Sequence, residues 1–347
     1  LLENRLRMTE ARRAAPEIEA VRVERPLFIT GLPRTGTSIL HELLGCDPAV
    51  RVPFEWEVRH PCPPPTAEDL AVVDEQEALA LAGLIHPTTT HTSRKERAER
   101  AIRLWTEIIP EYDTMHELGA RLPVECIKLF CHEFRSDHLA AEHQVPSYAA
   151  WLAGADMRPA YAYHRSMLQL LGWRFRGRRW VLKAPSHLAW LDALSAVYPD
   201  ACIVQTHRDP LRVMGSVASV LVATARVRSD EVDDQRIAAW FAPESCLALL
   251  EGADEVRVRE AQETRFYDVR YADLMRDPIA TVAGLYRHFG FELTPIARDA
   301  MIAYMAAKPK DKHGTHLYGF DETGCDRATE RLRFAPYMKR YAVPEEC

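Results

Sequence analysis

The stretch Gly31-Leu32-Pro33-Arg34-Thr35-Gly36-Thr37-Ser38 combines two glycines, a cation and a pair of hydroxyls within one short loop. Glycine accepts backbone angles that turn neighbouring N–H groups toward one point, and such a nest holds an anion. The apolar run Pro26-Leu27-Phe28-Ile29-Thr30 precedes the loop and reads as a buried strand. Ile39, Leu40, Leu43 and Leu44 follow on one helical face. The loop therefore joins a strand to a helix N-terminus, whose positive potential reinforces the nest. Thr37 and Ser38 add hydroxyl donors. The chemistry expected here is the holding of a phosphate. A nucleoside-triphosphatase loop carries Lys directly after its second glycine. Here that position is Thr37, and the cation is Arg34. No acidic residue follows a strand in a magnesium-binding context, so metal-dependent triphosphate hydrolysis is disfavoured.

Other chemically able residues stand at the ends of further strands. Trp180-Val181-Leu182 reads as a strand that delivers Lys183, with Ser186 and His187 opening the helix expected to run to Tyr198. Residues 201–206 read as a third strand, followed by Arg208 and a helix from Leu211 to Arg226. Residues 264–269 read as a fourth, followed by Tyr271 and by helices at 278–289 and 295–305. Residues 1–20 favour a helix ending near Pro26. Strands alternating with helices imply a parallel sheet covered on both faces. The prolines at 61–65 break regular structure, and residues 66–177 are patterned mostly as helix. This gives one α/β domain over 1–347, with a core at about 25–310 and a helical insertion at about 66–177 laid over the site.

Composition narrows the function further. The 347 residues carry a net charge of −6, which favours no nucleic-acid partner. The 8 cysteines are scattered, as in a reduced cytoplasmic protein rather than a stapled secreted one. Cys126, Cys131 and His132 match no zinc spacing. The longest uncharged stretch, Val213 to Ala225, falls short of the roughly 20 residues a membrane span needs. Nothing in the sequence excludes a homo-oligomer.

The loop, with Arg34 where a Lys is absent, resembles that of the sulfotransferase superfamily, in its bacterial type. The resemblance covers roughly residues 25–290 and implies a phosphate-loop nucleoside-triphosphatase-like fold with a central parallel sheet. It implies a co-substrate, 3′-phosphoadenosine 5′-phosphosulfate, and no metal requirement. Arg34, Thr35, Gly36, Thr37 and Ser38 would contact its 5′-phosphosulfate. Arg208, with Ser216 eight residues on, matches the family's 3′-phosphate site. Tyr271 matches a Tyr near the adenine, with Ala272 replacing the usual acid. The segment from Lys308 to Gly319 stands where the family closes a loop over the 3′-phosphate, with Lys312 as the candidate ligand.

The resemblance also implies catalytic roles. Lys183, 25 residues before Arg208, is placed like the leaving-group Lys of protein-tyrosine sulfotransferases. Glu55, 21 residues after Arg34, is placed like their catalytic base. Flanking Phe54 and Trp56 are expected to raise its pKa by desolvation. Glu57 is its substitute if the register slips, and His187 competes as base by analogy with cytosolic sulfotransferases. The implied reaction moves a sulfuryl group to a hydroxyl or amine of a small molecule, lipid or glycan by in-line attack. Phe54, Trp56, Trp105, Tyr148 and Trp151 are the aromatic candidates for contact with an apolar acceptor. Two alternatives stand: a kinase-like phosphoryl transferase on the same fold, and a non-catalytic nucleotide-binding protein.

Overall fold

The computed structural model describes residues 1–70, 93–110, 112–115, 117–259, 263–308, 320 and 324–346. Five strands form one parallel sheet: β1 (Leu27–Gly31), β2 (Val50–Arg51), β3 (Arg179–Lys183), β4 (Cys202–His207) and β5 (Phe266–Arg270). Their order is β2-β3-β1-β4-β5. The central strand β1 pairs with β3 through Phe28 opposite Leu182, and with β4 through Phe28 opposite Ile203. The two-residue β2 is too short to show any periodicity, and sequence patterning does not find it.

Period-two alternation divides the core. Phe28, Leu182, Ile203 and Phe266 pack to one side, with Leu168 and Leu171 of the helix Arg158–Gly172 and Leu250 of the helix Pro243–Arg259. Leu27, Ile29, Val181, Val204 and Val269 pack to the other. There they meet Leu40, Leu43 and Leu44 of the helix Thr37–Leu44, and Val282, Leu285 and Phe289 of the helix Pro278–Phe289. Both faces are therefore dry, as the near-continuous apolar strands require.

Element boundaries shift where local chemistry intervenes. The first helix spans Leu2–Ala14 and stops at Pro16, which opens a 3-10 turn to Ile18. The expected helix at 186–198 is a 3-10 turn, Pro185–Trp190, followed by an α-helix, Leu191–Val197. Among the described residues between β2 and β3 the helices come in separate pieces, the longest at Arg94–Ile108 and Arg158–Gly172. No helix among the described residues is long and apolar enough to cross a membrane.

All five strands point their C-terminal ends the same way, where parallel α/β sheets bind ligands. The first loop leaves β1 there. Lys183 ends β3, Arg208 follows β4, and Tyr271 follows β5.

Candidate functional site

Backbone shape makes the first loop. Gly31 has φ 138°, and a Cβ there would sit 2.4 Å from Thr206 Oγ1 on the neighbouring strand. Gly36 has φ 90°, and a Cβ there would stand 3.1 Å from the Tyr271 ring. Arg34 adopts the left-handed region at φ 65° without being glycine, a conformation that carries local strain. Thr35 is buried. Its hydroxyl donates to the Leu32 carbonyl (2.6 Å) and meets Thr206 Oγ1 (2.6 Å), which in turn donates to the Thr30 carbonyl (3.1 Å). The Thr35 side chain thus staples the loop to the sheet. Gly36, Thr37 and Ser38 open onto the cavity beside the helix start.

That cavity has a volume of about 1210 Å³. Arg34, Arg208 and Tyr271 share it with the loop. The Arg208 guanidinium is tied to the backbone of Arg34. Arg208 Nη1 donates to the Arg34 carbonyl (2.9 Å), and the Arg208 guanidinium lies 3.9 Å over the Tyr271 ring. Arg34 Nε donates to Ser216 Oγ (3.1 Å), and Arg34 Nη1 to the Met115 carbonyl (2.8 Å). Ser216 is fully buried and holds Arg34 rather than standing beside Arg208. Arg208 also binds Glu346, a carboxylate gripped by both Nε and Nη2 at 2.7–3.1 Å.

Lys183 is 2% exposed. Its ammonium donates to Ser38 Oγ (3.1 Å) and to the Glu125 carboxylate. Strand β3 therefore brings its cation to the first turn of the loop's helix. Glu125 is a site residue that sequence reasoning missed. It arrives because residues 120–124 pair with 53–56: Val124 N–H donates to the Pro53 carbonyl (2.8 Å) and Glu55 N–H to the Leu122 carbonyl (3.2 Å). This pairing sets Glu55 and Glu125 on one wall.

Glu55 lines the cavity, but its electrostatics differ from the expectation. Burial pushes its pKa up, while Lys128 and Arg59 outweigh burial and hold it down at about 2. Lys128 Nζ donates at 3.0 Å and Arg59 Nη2 at 2.7 Å, both to Glu55 Oε1. The aromatic neighbours do not decide the matter. Trp56 is buried with Ala98 and Ile102, away from the carboxylate's partners. Glu57 is fully buried in an ion pair with Arg51 and takes no part in the cavity wall.

His187 is also fully buried. Its Nδ1 meets Tyr161 Oη at 2.6 Å, and Phe28 and Phe130 stand edge-on to the ring. Burial drives its pKa well below the ordinary value. It sits in the aromatic core behind the cavity, whereas its neighbours Pro185 and Ser186 line it. Asp137, another residue missed from sequence, also lines the cavity. Burial, then the nearby charge of Glu125, raises its pKa to about 6. Lys312 lies outside the described residues. Lys308, at the start of the same segment, lines the cavity and donates to Glu42 and Glu117.

Away from these groups the wall is mostly apolar, with His138, Thr224, Arg236 and Ser245 set into it. The segment between β2 and β3 contributes Ile102, Trp105, Leu122 and Leu152, and the helix Pro210–Arg226 contributes Val217 and Leu221. Of the five aromatic candidates, Trp105 faces the cavity. Among the described residues, no group of three or more His, Cys, Asp or Glu side chains is arranged to hold a metal ion.

An anion loop after the central strand, cations at the ends of β3 and β4, and a parallel sheet behind them define a phosphate-loop α/β protein. The chain belongs to the sulfotransferase family, whose pattern it matches over residues 26–295. Its structure is similar to that of sulfotransferase STF1 from Mycobacterium tuberculosis H37Rv, at 35% identity and a TM-score of 0.76, covering 96% of this chain and 82% of that one. It is similar to sulfotransferase STF9 from Mycobacterium avium, at 27% identity and a TM-score of 0.79, covering 99% and 83%. In sequence it is similar to the omega-hydroxy-beta-dihydromenaquinone-9 sulfotransferase Stf3 of Mycobacterium tuberculosis, 27% identical over 285 residues. That match covers 78% of this chain, and the chain spans 64% of the length of that relative.

Proposed function

We propose that this protein transfers a sulfuryl group from 3′-phosphoadenosine 5′-phosphosulfate to a hydroxyl or amine of an apolar small molecule or lipid. One observation carries the reading: a single cavity holds the anion loop, Arg34 and Arg208 at one side and an apolar wall at the other. The loop amides and Arg34 suit a 5′-phosphosulfate. Arg208, stacked on Tyr271, suits a nucleotide's 3′-phosphate and places an aromatic face near the adenine. The apolar wall suits a hydrocarbon chain better than a glycan. The relative whose name specifies an omega-hydroxylated dihydromenaquinone is consistent with such an acceptor.

In this reading the acceptor oxygen attacks sulfur in line, and the sulfur–oxygen bond to the 5′-phosphate breaks. The electron pair leaves with adenosine 3′,5′-bisphosphate. Arg34 and Lys183 stabilise the charge that grows on the leaving oxygen. Lys183 reaches it by exchanging its contact with Glu125 for the phosphate. Of the two candidate bases only Glu55 lines the cavity, and it takes the acceptor's proton as a weak base, its charge already held by Lys128 and Arg59.

The test is transfer of radiolabelled sulfur from the donor to a panel of long-chain primary alcohols, sugars and amines. The expected product is a labelled alkyl sulfate. Absence of transfer to every acceptor, or magnesium-dependent label transfer from ATP, contradicts the proposal.

A further inference from the structure

The groups around Arg208 are arranged as if an anion were already seated there. Arg208 offers its planar fork to Glu346, whose two carboxylate oxygens receive Nε at 2.9 and 3.1 Å and Nη2 at 2.7 Å. A carboxylate and a phosphate present the same pair of acceptor oxygens to that fork. Glu346 is held in place by more than the ion pair. Its own N–H donates to Asp209 Oδ2 (2.8 Å). Arg331 clamps Asp209 through both Nη atoms (2.7 and 2.6 Å).

The chain leading to Glu346 is anchored one step earlier. Tyr341 stacks on the His207 ring with centroids 3.9 Å apart, and Val343 is buried. Pro344 and Glu345 are exposed. Residues 344–346 meet the last helix, Arg327–Arg340, at Arg331, which reaches the Glu345 carboxylate (3.6 Å) and the Glu346 carbonyl (3.4 Å), so Glu346 leaves Arg208 by giving up those contacts as well.

We propose that Glu346 is an internal stand-in for the nucleotide's 3′-phosphate, seated on Arg208 until a bound nucleotide displaces it. This rests on the reading of Arg208 as the 3′-phosphate ligand. A phosphate monoester brings about −1.5 to −2 charges at neutral pH against the single charge of the carboxylate, so it wins the fork when the rest of the nucleotide is bound. Releasing Glu346 costs affinity only for nucleotides that carry a 3′-phosphate. One with a bare 3′-hydroxyl leaves the Arg208–Glu346 pair in place. The bisphosphate product carries the same 3′-phosphate, so return of Glu346 to Arg208 also opposes its retention after transfer.

The experiment is calorimetric titration of the full chain with adenosine 3′,5′-bisphosphate and, separately, with adenosine 5′-monophosphate. Wild type, Glu346→Gln, Glu346→Ala and Arg208→Ala are compared, with thermal melts confirming that each is folded. Both Glu346 variants are expected to bind the bisphosphate roughly tenfold more tightly, with monophosphate affinity changed less than about twofold. Unchanged or weaker bisphosphate binding in both variants, with normal wild-type binding, overturns the stand-in role alone. Equal bisphosphate binding by wild type and Arg208→Ala overturns the underlying assignment of Arg208, and the stand-in role with it. In wild type, hydrogen exchange gives an independent readout. The Glu346 amide, bonded to Asp209 in the free chain, is expected to exchange faster when the bisphosphate is added. Unchanged or slower exchange contradicts displacement.

Discussion

The two sides of the cavity are built in opposite ways. The polar side is a set of groups placed by strand ends: the loop after β1, Arg208 after β4 and Tyr271 after β5, with Lys183 of β3 behind Ser38. The other side is a mostly apolar wall to which helices between β2 and β3 contribute Ile102, Trp105 and Leu152. A sheet fixes its strand ends to one another through a hydrogen-bonded register, so groups mounted there hold their relative positions. The helices of that wall share no ladder with the sheet and are positioned mainly by side-chain packing, with the backbone pairing of 120–124 to 53–56 as one tether. The contrast suggests a constant chemistry on one side and an adjustable shape on the other.

That contrast is broken or sharpened by substitution. Lys183→Ala is expected to have the largest effect, lowering turnover by at least about tenfold and toward 10²–10³, with little change in bisphosphate affinity. Single-turnover kinetics with labelled donor reads it, and normal turnover removes Lys183 from the chemistry. Arg208→Ala is expected to weaken bisphosphate binding by about 10- to 100-fold while leaving turnover at saturating donor nearly intact. Titration paired with saturation kinetics separates the two quantities. Trp105→Ala, on the apolar wall, is expected to change the acceptor KM and the preferred chain length by a few fold, with donor binding unmoved. An equal loss of donor affinity would erase the distinction between the sides.

Glu55 gives a smaller and pH-dependent effect. Its carboxyl is held at about 2 in the folded protein, below its ordinary value of 4.5. A depressed carboxyl contributes stability that is complete above about 4.5 and is lost as pH falls toward 2. Glu55→Gln is therefore expected to flatten the acid limb of the stability curve between those values, as read by denaturant midpoints at stepped pH. An unchanged acid limb would show that Lys128 and Arg59 do not hold the charge as described.

The same contrast explains what sequence reading could reach. The loop was readable because its chemistry is local: two glycines, a cation and a hydroxyl pair fall between Gly31 and Ser38, and Gly36 takes a left-handed backbone. Strands β1, β3 and β4 were readable because a parallel sheet buried on both faces demands continuous apolar runs, whereas the edge strand β5 exposes Asp268 and Arg270. Glu125 was not readable. Its place depends on residues 120–124 finding 53–56, a pairing that no periodicity announces. The depressed pKa of Glu55 was missed for a related reason, since Lys128 comes from that same remote segment while Phe54 and Trp56 are adjacent in sequence. His187 looked available from its position after β3, but the 3-10 turn there rotates it into the aromatic core. Glu346 is 138 residues from Arg208, beyond any local pattern.

The most direct measurement is a crystal structure with adenosine 3′,5′-bisphosphate bound. The 5′-phosphate is expected over the amides of Gly36, Thr37 and Ser38 with Arg34 beside it, and the 3′-phosphate on Arg208 in place of Glu346. A bisphosphate bound outside this cavity, or with its two phosphates away from Arg34 and Arg208, would contradict the account.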